Sequence, residues 1–209
     1  DTKGGDVLIG GTTTNPALGN AALPVGVLLD KAAITTGAGA ITIRGTGKAT
    51  SNNAYGIQLK NGSTLTTAGG NITLTGIGGT GDGSGTEANY GIYSTGTGTA
   101  VTTATGAISL TGTGGAGSTN GNSGIVMSAG ATVASSNTGT ITLLGTAGAG
   151  GAVGNHGVDI SGASTGISTV NGAIVITGVG LVSGSSNIGV TLGAGAVISS
   201  TGAGATGTV

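Results

Sequence analysis

The hexapeptide NITLTG at residues 71–76 decides the fold, because related hexapeptides recur along the chain. In each of them two apolar residues stand two positions apart and a glycine follows. Successive copies are 34, 31, 36, 33 and 33 residues apart, counted between the first apolar residues Val7, Ile41, Ile72, Ile108, Ile141 and Ile174. Neighbouring side chains point to opposite faces of a strand, so Thr73 would face away from Ile72 and Leu74. The sequence therefore predicts six copies of a unit of about 33 residues that begins with a short strand.

Each unit contains two further strand signals. The second strand directly follows a glycine and begins at Val27, Ile57, Ile92, Ile125, Val158 and Val190. The third is a single apolar residue beside threonine or serine, namely Ile34, Leu65, Val101, Val133, Ile167 and Val197. Strands this short are stable only when equivalent strands of successive units hydrogen-bond in parallel, so that each coil supports the next.

These signals predict an all-β fold, a parallel β-helix (β-solenoid) of about six coils with three short strands per coil. We expect one domain over residues 1–209, with coils near 4–36, 37–67, 68–103, 104–136, 137–170 and 171–209. One column of the core is predicted to consist of Ile41, Ile72, Ile108, Ile141 and Ile174.

The composition fits a narrow interior. Of 209 residues 50 are glycine, and the three tyrosines are the only aromatic residues that could fill a wide core. The net charge of −1, with only 5% charged residues, argues against binding to nucleic acid. No run of about 18 apolar residues indicates membrane insertion. The absence of cysteine excludes disulfides and thiolate metal sites.

The connections between strands differ in how constant they are. From a third strand to the next first strand the step is 7 or 8 residues, whereas from first to second strand it varies between 16 and 20. Insertions that collect on one side of a solenoid often form its interaction face. One of the longest contains Asp82 and Glu87 and leads to Tyr90 and Tyr93, and these four residues form a candidate interaction loop.

An asparagine recurs three residues before the second strand, at Asn89, Asn122, Asn155 and Asn187. Asparagines stacked at the coil spacing can hydrogen-bond side chain to side chain along the axis, and they tolerate turn dihedral angles. We therefore predict a structural asparagine ladder, which Asn53 joins if an extra residue bulges out of its coil.

The only histidine, His156, lies three residues before Asp159 and raises the question of catalysis. The repeat places His156 in a chemically mixed row with Tyr55, Tyr90, Ser123 and Ile188, which is typical of a variable surface position. No third residue completes a catalytic triad, and the other acidic residues are scattered over different coils. The sequence therefore predicts no catalytic residue, no enzymatic activity and no cofactor.

Two glycine-rich stretches are similar to ligand-binding loops. GTGGAG at residues 112–117 matches a dinucleotide fingerprint but lacks the following helix and acidic residue that the fingerprint requires. GGTGDGSGT at residues 78–86 is similar to a calcium-binding nonapeptide, but Asp82 comes one position early and no neighbouring copy exists. We therefore expect a solvated loop and no metal site.

Outward threonines make ice binding a further hypothesis. One row consists of Thr42, Thr73, Ser109 and Thr142. A second group lies near another row and consists of Thr64, Thr66, Thr102 and Thr132. We expect outward pairs only at TIT (140–142) and TLT (64–66), and the rows break at Val175 and Ala134. The alternative explanation is the strand propensity and solubility that threonine provides.

The units GNITLTG (70–76), NYGIYSTG (89–96) and AVTTATGAISLTG (100–112) resemble the repeat tracts of filamentous-haemagglutinin-like and related bacterial surface adhesins. The resemblance covers nearly the whole chain. It implies a right-handed parallel β-helix that carries binding regions away from the cell surface.

The leading functional hypothesis is an extracellular structural solenoid, either an adhesin shaft or a surface-filament subunit. We expect it to associate end to end or to continue into flanking coils, because no terminal cap is visible and the sequence begins at Asp1, as an excerpt of a longer fibre would. The alternative is a module that binds a glycan or a cell-surface partner through the variable loop face. The tyrosines favour this alternative, because sugars stack on aromatic rings.

Overall fold

The computed structural model describes residues 3–81, 88–117, 121–150, 153–181, 185–193 and 195–202. Within these ranges the regular structure consists of nineteen β-strands in three parallel sheets. The same ranges contain no helix that could cross a membrane. The chain winds through six coils, and each coil contributes to all three sheets, so the predicted β-solenoid is confirmed.

The strands of each sheet are equivalent members of successive coils. The first sheet contains β1 (Val7–Ile9), β2 (Ala17–Leu18), β5 (Ile41–Thr46), β8 (Ile72–Ile77), β11 (Ile108–Thr113), β14 (Ile141–Thr146) and β17 (Ile174–Val179). The second contains β3 (Val27–Asp30), β6 (Ile57–Lys60), β9 (Ile92–Thr95), β12 (Ile125–Ser128), β15 (Val158–Ser161) and β18 (Val190–Gly193). The third contains β4 (Ala33–Thr36), β7 (Thr64–Thr67), β10 (Ala100–Thr103), β13 (Thr132–Ser135), β16 (Gly166–Thr169) and β19 (Val197–Ser200).

The core consists of aliphatic columns that run along the axis. The first sheet pairs the same position of successive coils and so aligns Ile41, Ile72, Ile108, Ile141 and Ile174. All five side chains point inward and are buried. Isoleucine, leucine and valine from the other two sheets complete a core about one side chain wide. Small aliphatic residues fill this space at native density, so the interior has no need of large aromatic rings.

The third sheet differs from the sequence prediction in its last coil. Ile167 pairs with Ile198, and the predicted core residue Val197 pairs with Gly166. Val197 is 57% exposed, whereas Ile198 packs against the core. The prediction of Val197 was wrong because two aliphatic residues stand side by side here, and the apolar pattern alone does not decide which of them faces inward.

The first-sheet strands are longer than predicted, because they continue through the glycine expected to end them. Gly112, for example, is the fifth of six residues in β11 and has no positive φ angle. A Cβ at Gly112 would lie only 2.2 Å from the carbonyl oxygen of Gly124, and one at Gly124 only 2.4 Å from the amide nitrogen of Thr146. The glycines are therefore required for close backbone approach, not for a turn.

This contact repeats in five of the six coils and forms a glycine seam between the first and second sheets. We define the seam by its facing pairs, Gly45–Gly56, Gly76–Gly91, Gly112–Gly124, Gly145–Gly157 and Gly178–Gly189. Here the chain leaving the first sheet packs backbone to backbone against the chain entering the second. Each variable loop between these two sheets therefore begins and ends at the seam. The loop segment that contains Asp82 and Glu87 lies outside the described residues.

The seam predicts a large difference between two glycine-to-alanine substitutions. Gly112→Ala places a methyl group into the Gly124 carbonyl and should cost about 1–3 kcal/mol of unfolding free energy or more. Gly69→Ala is the matched control, because its Cβ would meet only the Thr105 hydroxyl at 3.5 Å, an ordinary contact. Its effect should stay within about 1 kcal/mol in either direction. Urea denaturation measures both, and equal losses would contradict the seam.

Candidate functional site

All three tyrosines of the chain meet on the outer surface beside the second sheet. The ring centroids of Tyr55 and Tyr90 are 5.4 Å apart and their planes are nearly parallel, at 14°. The Tyr93 ring is tilted against both, with centroids 5.2 Å from each. Such aromatic pairs contribute about 0.5–1.5 kcal/mol beyond their buried area. We call Tyr55, Tyr90 and Tyr93 the tyrosine platform, and it joins two adjacent coils.

The platform depends on a local break in strand alternation. Gly91 and Ile92 are both buried, Gly91 in the seam and Ile92 in the core. Because two consecutive residues face inward, Tyr90 and Tyr93 both reach the outer surface, although they are three positions apart. The sequence prediction placed Tyr90 in one row with Tyr55 and grouped Tyr93 with Tyr90 in the candidate interaction loop, but it did not predict the contacts among the three rings. The glycine directly before the core isoleucine is the signal for this arrangement.

His156 and Asp159 lie two coils away from Tyr90 and Tyr93 in the same two rows. The backbone amide of His156 donates to Ser123 Oγ at 3.0 Å, and its Nδ1 accepts a hydrogen bond from the Ile188 amide at 3.2 Å. The imidazole thus ties its coil to the next one. His156 lies in the predicted row. The glycine that follows each member donates its backbone amide to the carbonyl of the next member, and this order runs through Tyr55, Tyr90, Ser123, His156 and Ile188.

The electrostatics of this face favour hydrogen bonding by uncharged phenols. Burial raises the pKa of Tyr55 and Tyr90, and the charge of Asp159 raises that of Tyr90 further. Burial also raises the pKa of Asp159, while His156 and a hydrogen bond from Ser161 lower it in part. Tyr55 and Tyr90 therefore stay protonated at neutral pH, and the platform offers ring faces and hydroxyls. His156 and Asp159 supply a polar margin about 10 Å away, at two coil spacings.

The predicted asparagine ladder lies beside the glycine seam, where Asn89, Asn122 and Asn155 are buried. The backbone amide of Asn122 donates to Asn155 Oδ1 at 2.7 Å, and the backbone amide of Asn155 donates to Asn187 Oδ1 at 2.9 Å. The contacts run mainly from backbone amide to side chain, rather than from side chain to side chain as predicted. A longer side-chain contact of 3.4 Å joins Asn155 Nδ2 to Asn187 Oδ1. The buried backbone amides of Asn122 and Asn155 are thus satisfied by a side chain of the next coil.

The second coil enters this ladder through an alanine. The Ala54 amide donates to Asn89 Oδ1 at 3.0 Å. Asn53 is exposed and adopts a left-handed backbone with φ of 52°. The extra residue of this coil therefore shifts Asn53 out of the ladder. Asparagine tolerates this conformation better than most residues do.

The remaining sequence motifs add no metal or nucleotide geometry within the described ranges. No group of three or more His, Cys, Asp or Glu side chains in those ranges could hold a metal ion. The stretch at 112–117 begins inside β11, and its glycines at 114 and 115 pack against backbone of the returning chain and the preceding coil.

Comparison with known proteins gives no relative for this chain. No family model matches it, and no curated protein or solved structure is significantly similar to it. The functional argument therefore depends on the geometry of the solenoid and on the chemistry of its outer faces.

Proposed function

We propose that this chain is a structural element that provides length, an extracellular solenoid that serves as an adhesin shaft or a surface-filament subunit. Its support is the parallel register that continues through all six coils. Each coil adds about 4.8 Å, so six coils give a rod of about 30 Å. Stability in such a fold is nearly additive by coil, so further coils can lengthen the rod while the existing coils keep their structure. The resemblance to surface-adhesin repeats points the same way.

The observation that carries this proposal is the open core at the last coil. Ile160 is completely buried, whereas Leu192, its partner one coil further on, is 53% exposed. Ile174, Ile176, Val190, Leu192 and Ile198 line an apolar cavity of about 180 Å³. Among the described strands β17, β18 and β19 each pair on one side only. Unpaired edges and an open apolar core fit a further coil, supplied by a flanking segment or by another copy of the chain.

End-to-end association of the purified chain tests this proposal. We expect rods whose length grows with protein concentration in negative-stain images and in sedimentation. Leu192→Glu places a charge in the contact and should weaken association about tenfold or more, because a buried unpaired charge costs several kcal/mol. The matched control is Val197→Glu, since Val197 lies in the same coil and is as exposed but points outward. Discrete short rods at all concentrations, or equal effects of the two variants, would contradict end-to-end association.

A second candidate function is glycan binding, and the tyrosine platform favours it. A chain with only three aromatic residues places all of them at one point of its surface. The apolar faces of sugar rings stack on aromatic rings, and sugar hydroxyls can hydrogen-bond to groups such as His156 and Asp159. In this hypothesis the candidate surface lies beside the second sheet and includes Tyr90 and Tyr93 of the predicted interaction loop, whereas Asp82 and Glu87 lie outside the described residues.

A glycan array separates this candidate from a purely structural role. We expect the chain to bind a subset of neutral or amino sugars, and Tyr93→Ala to lower the affinity about tenfold, which corresponds to about 1.4 kcal/mol. Leu23→Ala changes an exposed aliphatic residue away from the platform and should leave binding unchanged. A chain that binds no glycan, or that binds equally with Tyr93→Ala, would remove this candidate.

A further inference from the structure

The outer face of the first sheet carries an array of threonines. Each of β5, β8, β11, β14 and β17 contributes three outward positions, and nine of these fifteen residues are threonine and one is serine. We call this set the threonine face; its members are Thr42, Arg44, Thr46, Thr73, Thr75, Ile77, Ser109, Thr111, Thr113, Thr142, Leu144, Thr146, Val175, Thr177 and Val179.

The array is larger than the sequence predicted. Outward pairs were expected only at 140–142 and 64–66, and this expectation was wrong. Thr73 and Thr75 share the outer face of β8, and both precede the glycine at position 76. Thr111 and Thr113 share the outer face of β11, because that strand continues through the glycine at position 112.

The hydroxyls of this face are not engaged by the protein. Within the described ranges, none of its nine threonine side chains hydrogen-bonds to another residue. The third sheet behaves differently, since Thr66 and Thr102 hydrogen-bond to each other at 3.1 Å and Thr67 donates to Thr103 at 2.9 Å. The first-sheet hydroxyls therefore remain available to a ligand outside the molecule.

The face is also poor in charge and partly apolar. Four of the large hydrophobic residues exposed on this chain are members of it, namely Ile77, Leu144, Val175 and Val179. Its only charged residue, Arg44, donates a hydrogen bond to the Gly11 carbonyl at 2.8 Å, at the end where residues 10–16 leave the sheet. Leu144, Val175 and Val179 lie on the adjacent strands β14 and β17, and exposed apolar residues grouped in this way often mark an interaction site.

The size of the face limits the kinds of ligand that can bind to it. Five strands of six residues cover about 20 Å by 24 Å, or roughly 500 Å². A stable protein–protein interface needs about 800 Å² from each partner, so the face is too small for a second copy of the chain. A charged polymer would find no row of opposite charges here. A neutral crystal lattice, in contrast, is periodic, as are the outward residues of the paired strands.

We propose that the threonine face binds ice. In this arrangement hydroxyls such as those of Thr75 and Thr111 hydrogen-bond to waters of the lattice at the coil spacing of about 4.8 Å. The threonine methyls and the four aliphatic side chains exclude disordered water from between them. The proposal is independent of end-to-end association, because the face lies along the side of the rod.

Ice partitioning and thermal hysteresis of the full chain test this proposal with two matched variants. Thr111→Lys places a long charged side chain at the centre of the face. Thr132→Lys makes the same change in the same coil at a half-buried outward position of the third sheet. We expect wild type and Thr132→Lys to partition into ice and to show thermal hysteresis, and Thr111→Lys to lose about tenfold in both. Circular dichroism melting verifies that all three proteins are folded.

The outcomes separate ice from the other occupants. No ice binding by the folded wild type, or equal losses in the two lysine variants, overturns the proposal. A concentration-dependent dimer in sedimentation that Thr111→Lys alone abolishes would assign the face to a second copy of the chain and would also overturn it. Loss of end-to-end rods in Leu192→Glu with unchanged ice partitioning leaves the proposal intact.

Discussion

Parallel hydrogen bonding between successive coils is the interaction on which the whole molecule depends. No coil has a hydrophobic core of its own, because each strand contributes only one or two side chains to the core. Stacking turns these into continuous columns, and it satisfies the backbone amides and carbonyls of each strand at the same time. The glycine seam is the geometric condition for this stacking at one edge of the coil. There the distance between the two layers leaves no room for a side chain, as the pair Gly112 and Gly124 demonstrates.

The parts of the fold that the sequence predicted are those that repeat with period two inside a strand and with a nearly constant interval between coils. Ile72 and Ile108 satisfy both conditions, and their column follows. The choice between Val197 and Ile198 could not be predicted, because adjacent aliphatic residues make both registers equally apolar. The role of the seam glycines was also missed, since a glycine in a turn and a glycine in a close contact look alike in one copy. The signal is the recurrence of glycine on both sides of every variable loop.

The same two conditions decide which features of the candidate sites could be predicted from the sequence. The row of Tyr55 and Tyr90 was predictable from equivalent positions, whereas the contact of Tyr90 with Tyr93 was not, because it requires two consecutive inward residues. The asparagine positions were predictable, but their partner atoms depend on where the next coil places its amides. The extent of the threonine face could not be predicted while the strands were expected to end at the glycine before Thr113.

In the solenoid the residue types at inward positions are constrained, whereas those at outward positions can vary. Only inward positions must remain aliphatic, so the outer rows are free to carry different chemistry on one scaffold. The first sheet presents unengaged hydroxyls, the surface beside the second sheet presents the tyrosine platform, and third-sheet threonines such as Thr66 and Thr102 bond to each other. A solenoid built in this way can carry a binding surface along its side without any change in its core.

The central claim is that equivalent residues of successive coils stack in register. A crystal structure of the chain tests it most directly, through the Cα positions of Ile72, Ile108 and Ile141. The account predicts that these atoms form one column with a spacing of about 4.8 Å and that their side chains point into the core. An isoleucine of this set on the outer face, or a register shifted by one residue between these coils, would contradict it.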